Sequence, residues 1–291
     1  MDMVEEIRRF NRTVTQRVGA LNDAYLSRDR PLGQARVLWE IGPDGCDVRA
    51  LRARLDVDSG YLSRLLRALE GDGLVAVERS DGDGRVRTAR LTKTGLAERE
   101  TLDSRSDELA ASILAPLSER QRTRLVAAMA EVSRLLVAST VDVAATDPRG
   151  AAAEECLRAY FAEIGERFEN GFEHDRSLMP DEAAMTPPAG VFLVATLHGD
   201  AVGCGGLLFE DNDSAYLKRM WVSSSVRGLG LGRRLLAELE WHAAASGART
   251  VRLETNRTLT EAMGLYRAAG YREVEPFNAE PYAHHWFEKQ L

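Results

Sequence analysis

The chain is predicted to form two domains, a mainly α domain with a two-stranded hairpin over residues 1–138 and an α/β domain over residues 139–291. Three observations lead there. Leu62, Leu65, Leu66 and Leu69 recur at i, i+3, i+4 and i+7 and are followed by two short strand candidates, residues 73–79 and 85–91, around Ser80-Asp81-Gly82-Asp83-Gly84. Later in the chain Arg227-Gly228-Leu229-Gly230-Leu231-Gly232 joins an apolar strand candidate to an amphipathic helix. A length of 291 residues leaves room for two cores of ordinary size.

Residues 4–25 read as one helix, with Ile7, Val14, Val18, Leu21 and Tyr25 on a single stripe. A second helix over 32–41 is stopped by Gly42-Pro43, and a third covers 48–55. Asp56-Val57-Asp58-Ser59 is a turn rich in helix-capping residues. In the fourth helix, 60–71, the four leucines bury one face and leave Ser59, Tyr61, Ser63, Arg64 and Arg67 pointing away. That face is polar, hydroxyl-bearing and basic, as a helix in a DNA major groove needs to be: arginine reads guanine and hydroxyls hold phosphates. A long helix over about 94–114 follows, then Ser118-Glu119-Arg120-Gln121 as a cap and a helix striped by Leu125, Met129, Val132 and Leu136.

This order of helix, hairpin and helix start, with L-S-R-L-L-x-x-L-E-x-x-G-L from Leu62 to Leu74, D-x-R at Asp83 to Arg85 and Leu91-Thr92-Lys93-Thr94-Gly95, resembles the MarR winged helix-turn-helix regulators. The resemblance implies double-stranded DNA as partner, with groove contacts from Ser59, Tyr61, Ser63, Arg64 and Arg67 and a wing contact from Arg85. It also implies a homodimer built from the first helix and the 119–138 stripe. Packing of that stripe within the same chain is the alternative.

In the second half, residues 139–145 read as a strand and 152–168 as a helix with Leu157, Tyr160, Phe161 and Ile164 inward. Residues 170–189 hold Pro180, Pro187 and Pro188 and are expected to be a substrate-side loop with at most a short helix. Strands over 191–197, 201–209 and 215–222, a helix over 230–246, a strand over 250–255, a helix over 260–269 and strands near 271–274 and 283–288 complete the domain.

Strand, glycine turn and helix N-terminus together make an anion cradle, because glycine lets the backbone approach a phosphate while the first helical N–H groups point at it. Gly232 is followed by Arg233 and Arg234 rather than Lys-Ser/Thr, which excludes a P-loop, and G-x-G-x-G departs from the dinucleotide G-x-G-x-x-G. Arg227, Gly230 and Gly232 do fill Arg/Gln-x-x-Gly-x-Gly/Ala. With Lys218-Arg219-Met220-Trp221-Val222 upstream and Leu265-Tyr266-Arg267-Ala268-Ala269-Gly270-Tyr271 downstream, residues 139–291 resemble the GNAT N-acetyltransferases, an α/β acyltransferase fold. The resemblance implies acetyl-CoA as cosubstrate, held at Met220, Val222, Arg227, Gly228, Leu229, Gly230, Leu231, Gly232, Arg233 and Asn256, with Tyr266 as the acid beside the sulfur. The acceptor would be an amine, on a small molecule or a protein lysine. Leu259 stands where many relatives have Asn, and Tyr216 where many have Glu, so the base is unassigned; Glu254 or a water chain is open, and of the neighbours His284 and His285 at most one faces inward.

The net charge of −7 is unevenly spread: residues 1–140 carry 23 Lys+Arg against 22 Asp+Glu, and the remainder 15 against 23. Lysine occurs only at positions 93, 218 and 289, so the positive charge is arginine, suited to bidentate phosphate and guanine contacts. Cys46, Cys156 and Cys204 lack the spacing of a disulfide framework or zinc site, so no metal is expected. No apolar run approaches the ~20 residues of a membrane span and the charged N-terminus is no signal peptide, so the expectation is a cytoplasmic protein without a membrane partner. Three readings stay open: a bifunctional regulator and acetyltransferase, a regulator whose second domain only senses an acyl-CoA or another ligand, and an acetyltransferase that uses its winged helix only to dimerise.

Overall fold

The computed structural model describes residues 2–21, 25–27, 29–79, 87–169, 171–173, 176–178, 182–210 and 213–291. They fall into two compact units, Met1–Ala130 and Glu131–Leu291.

In the first unit, α1 (Met3–Arg17) starts at Asp2, whose carboxylate accepts from Val4 N at 3.0 Å. The helix expected to run on to residue 25 ends eight residues earlier, because Gly19 takes φ +67 and turns the chain. The expected stripe is thereby split: Tyr25 is buried, while Ile7 and Val14 are exposed. Helices α2 (Leu32–Ile41) and α3 (Val48–Leu55) pack with α4 (Ser59–Gly71). Asp47 caps α3 and Asp58 caps α4, each accepting a backbone N–H at 2.8 Å. Ala35, Leu38, Leu51, Leu62, Leu66 and Leu69 form the centre of the core.

The short β1 (Cys46–Asp47) and the wing strands β2 (Val75–Arg79) and β3 (Arg87–Leu91) make an antiparallel sheet in the order β1-β3-β2. The wing tip, with Asp83 and the expected DNA contact Arg85, lies outside the described residues. Helix α5 (Lys93–Leu114) is seated on the wing by Thr92, whose hydroxyl donates to Gly73 O at 2.7 Å and accepts from Gly95 N at 3.0 Å. A Cβ on Gly95 would stand 2.0 Å from Leu74 O, a contact with backbone that nothing flexible can relieve. Gly95→Ala is therefore expected to destabilise the first unit by about 1–3 kcal/mol, the usual cost of overpacking. Thermal unfolding measures it, and an unchanged midpoint would mean that α5 shifts freely on the wing.

Helix α6 (Glu119–Ser139) opens with Gln121 Oε1 accepting from Ser118 N and Oγ at 3.0 and 2.8 Å. It continues through Ser139, so the strand expected from 139 is shortened to β4 (Asp142–Ala145).

The second unit is a seven-stranded sheet in the order β4-β5-β6-β7-β8-β10-β9, built with β5 (Gly190–Leu197), β6 (Asp200–Glu210), β7 (Ser214–Val222), β8 (Thr250–Thr255), β9 (Arg272–Val274) and β10 (His285–Gln290). Strand alternation sorts β5 between two cores. Val191, Leu193 and Ala195 join Leu231, Leu235 and Leu239 of α8 (Leu231–Ala245), whereas Phe192 and Val194 join Cys156 and Leu157 of α7 (Ala151–Arg167). The turn Glu182–Met185 closes the α7 side through the fully buried Met185.

Candidate active site

Two backbone irregularities in β7 create the site. Every pairing in the sheet is antiparallel except β7 with β8, whose parallel ladder joins Ser214–Thr250, Ala215–Val251 and Tyr216–Arg252 and ends there. Since β7 continues to Val222 and β8 to Thr255, the strands part beyond Tyr216. Opposite, between the pairs Cys204–Trp221 and Gly206–Lys218, Arg219 and Met220 face the single residue Gly205, and Arg219 takes φ +54. That bulge turns β7 away from its neighbour.

The opening is a cleft of about 580 Å³ lined by Met220, Val222, Arg227, Gly228, Gly230, Leu231, Gly232 and Arg233, with Tyr266 from α9 (Thr260–Ala268) and Glu163 from α7. Eight of the ten residues expected around the cofactor thus meet in one cleft. Leu229 instead packs against the hydrophobic core. Asn256 stands in a second chamber, its Nδ2 donating to Tyr282 O at 2.8 Å and its Oδ1 accepting from Thr258 N and Oγ1 at 3.0 Å.

Gly230 caps α8 with φ +81 and ψ 3, and a Cβ there would meet nothing within 4 Å, so the helix N-terminus faces open space. The arginine of the loop is not aimed into that space. Arg227 Nε donates to Val222 O at 3.0 Å, and its Nη2 reaches both oxygens of Glu163 at 2.7 and 2.5 Å. Glu163 also accepts from Trp221 Nε1 at 2.8 Å and Arg167 at 3.1 Å. Burial alone would raise the pKa of this carboxyl, but the three donors, Arg227 foremost, outweigh it and hold the pKa below the ordinary value. Sequence reasoning missed Glu163: its spacing to Arg167 is that of any i,i+4 surface pair.

Tyr266 is 5 % exposed, and its hydroxyl donates to Met220 Sδ at 4.0 Å. Burial, and then the Glu254 carboxylate, raise its pKa above the ordinary 10. Tyr266 and Met220 also line the second chamber, together with Phe168, Phe172, Lys218, Glu254, Glu280 and Tyr282 among others. Glu254 accepts from the Tyr216 hydroxyl and from Lys218 Nζ, so both of its oxygens are engaged. Neither histidine of the adjacent pair lines cleft or chamber; His285 Nδ1 is 2.6 Å from Glu273 Oε1.

In the first unit the outward face of α4 is as expected: Ser59, Tyr61, Arg64 and Arg67 are exposed and Ser63 is half-buried. Arg67 Nε donates back to Ser63 O at 3.2 Å, and the Arg64 guanidinium lies 5.7 Å from the Tyr61 ring centre. Among the described residues no helix is long and apolar enough to cross a membrane, and no group of three or more His, Cys, Asp or Glu is placed to hold a metal ion.

A glycine-capped helix N-terminus thus stands at the mouth of a parted parallel strand pair. Residues 154–271 match the acetyltransferase (GNAT) family, and residues 29–86 match the MarR family. The chain therefore joins a MarR-family winged helix to a GNAT-family acetyltransferase domain. An IAA acetyltransferase of Azospirillum brasilense is 37% identical over 99 residues, which make up 33% of this chain and 64% of that protein. An uncharacterised N-acetyltransferase of Schizosaccharomyces pombe is 35% identical over 97 residues, 33% of this chain and 60% of its own. The chain thus spans less than two thirds of either relative. A GNAT-family acetyltransferase of Staphylococcus aureus, known from its crystal structure, is 22% identical with a TM-score of 0.45, covering 52% of this chain and 98% of that one.

Proposed function

We propose that the second unit transfers an acetyl group from acetyl-CoA to an amine and that the first binds double-stranded DNA, the chain acting as a cytoplasmic homodimer that regulates transcription. The observation that carries the enzymatic half is that Tyr266 and Met220 line both the glycine-loop cleft and a second chamber. Acetyl-CoA fits the residues present, because the open space above Gly228 and Gly230, both at φ +81, lets a diphosphate reach the backbone, and the cleft has room for a pantetheine arm.

Acetyl-CoA supplies an already activated thioester, so the protein's task is positioning and proton management. N–H groups from Arg227 to Gly232 hold the pyrophosphate, with Arg233 at the rim, and backbone groups of Met220 and Val222 hold the pantetheine. The Arg227 side chain is spent on Glu163, so it fixes the loop rather than neutralising the anion. Overall a C–N bond forms and the C–S bond breaks: the Tyr266 hydroxyl protonates the departing sulfur, and the proton lost by the amine nitrogen restores it. Calorimetric titration with acetyl-CoA and thiol release with a panel of amines test the reading. Since both Glu254 oxygens are engaged, binding without turnover of any amine would leave a domain that only senses its ligand.

The DNA-binding half rests on the outward residues of α4 opposite its buried leucines. Exposed Ile7 and Phe10 on α1 and Met129, Leu135 and Leu136 on α6 support a homodimer built from those helices. Arg64→Ala is expected to lose about 1–3 kcal/mol on the preferred site and to relax one base position, the worth of one bidentate base contact. Site selection followed by anisotropy titration checks this; no sequence preference together with unchanged affinity would remove the regulator from the proposal.

A further inference from the structure

The second chamber carries chemistry of its own. Three rings wall it: Phe168 lies 6.1 Å from Phe172 and 5.8 Å from Tyr282, and Phe172 is 4.9 Å from Tyr282, centre to centre. Its floor is ionic, with Lys218 bonded to Glu254 and 3.9 Å from Glu280, the three side chains being 10%, 6% and 5% exposed. Lys218 and Arg219 together balance the two carboxylates, so the lining is neutral overall. The other cation of the lining, Arg219, has its guanidinium over the Phe161 ring at 5.9 Å.

The carboxylates of this floor are already occupied. Glu280 accepts from Ser177 Oγ at 3.0 Å and Leu178 N at 2.8 Å, and the Tyr216 hydroxyl donates to Glu254 while accepting from Asn278 at 2.7 Å. Asn256 is committed to Tyr282 and Thr258. An incoming hydroxyl would find both carboxylates taken, and a second ammonium would have to be buried against an aromatic wall without a carboxylate of its own. The chamber is much smaller than the cleft, about 90 Å³ against about 580 Å³.

We infer that this chamber is the acceptor subsite and that it takes a compact monoamine on an apolar body. The amine meets the ring faces beside this charge-balanced floor, and its alkyl part is held between Phe168, Phe172 and Tyr282. The inference rests on the acetyl-transfer reading above. It disfavours acceptors whose bodies carry hydroxyls or further charges.

Three amines of equal heavy-atom length test it: butylamine, 3-amino-1-propanol and 1,3-diaminopropane, which differ only in the far end. Steady-state thiol release on the full chain is expected to give butylamine a kcat/KM at least about tenfold above either of the others, since each polar end loses its hydration on burial. Phe172→Ala should raise the butylamine KM about fivefold by removing one ring face, with the acetyl-CoA Kd unchanged. Equal or faster turnover of the aminopropanol or the diamine overturns the inference, as does acetyl-CoA binding without butylamine turnover. Failure to bind acetyl-CoA at all would instead overturn the reading beneath it as well. Should the phenylalanine variant not fold, the comparison of the three amines on the unaltered chain still decides.

Discussion

Gly230→Val is expected to weaken acetyl-CoA binding by about 100-fold or more while the second unit still folds. Gly230 holds φ +81 and ψ 3, a conformation that costs a residue with a side chain about 1–2 kcal/mol. That is the smaller part. The added side chain would enter the open space in front of the first turn of α8, where a Cβ meets nothing within 4 Å and where the diphosphate must approach. Hydrogen bonds to a charged group contribute about 1.5–3 kcal/mol each, so losing two of them accounts for the expected drop. Calorimetric titration gives the affinity, and circular dichroism melting confirms that Val226, Leu231 and Leu235 still pack. An unchanged Kd would move the cofactor off this loop.

How far this site could be read from sequence follows from how local each part is. The glycine loop is contiguous, so six residues in a row announced both the turn and the helix start, and eight of ten expected cofactor residues line one cleft. The α4 leucines were legible for the same reason, since a 3.6-residue repeat fixes a buried face without knowledge of what packs on it. The bulge at Arg219 was not legible. A positive φ on an arginine inside a strand follows from where β6 and β8 stand, not from anything in its neighbours. Nor was Glu163, whose partners Trp221 and Arg227 lie 58 and 64 residues away. The second chamber is the extreme case: Ser177 meets Glu280 across 103 residues, and the segments involved have no periodic pattern. The end of α1 at Arg17 and the continuation of α6 through Ser139 were missed because one glycine outweighed an apolar stripe and because no breaker stands before residue 139.

Tyr266→Phe is expected to lower kcat by about 100-fold, within the range for loss of one general acid, while the acetyl-CoA Kd changes less than about twofold. The split matters because the ring and the hydroxyl do different work. The ring packs near Tyr271 and Phe287, at 5.8 and 6.0 Å between centres, and phenylalanine keeps that packing. The hydroxyl's one described partner is the weakly accepting Met220 Sδ at 4.0 Å, so its proton is not committed to a strong acceptor. Burial and the nearby Glu254 raise its pKa above 10, which keeps the donor form populated throughout the neutral range. Turnover of the unaltered enzyme should accordingly show no alkaline limb from this group below about pH 10. Tyr160 is the necessary control, because it lines the same cleft and its pKa is raised first by burial and then by Tyr266. A full loss in Tyr266→Phe with near-normal turnover in Tyr160→Phe assigns the acid. Equal activity of Tyr266→Phe and the unaltered chain would leave Tyr266 as a packing residue and require the sulfur to leave as thiolate or to take its proton from water.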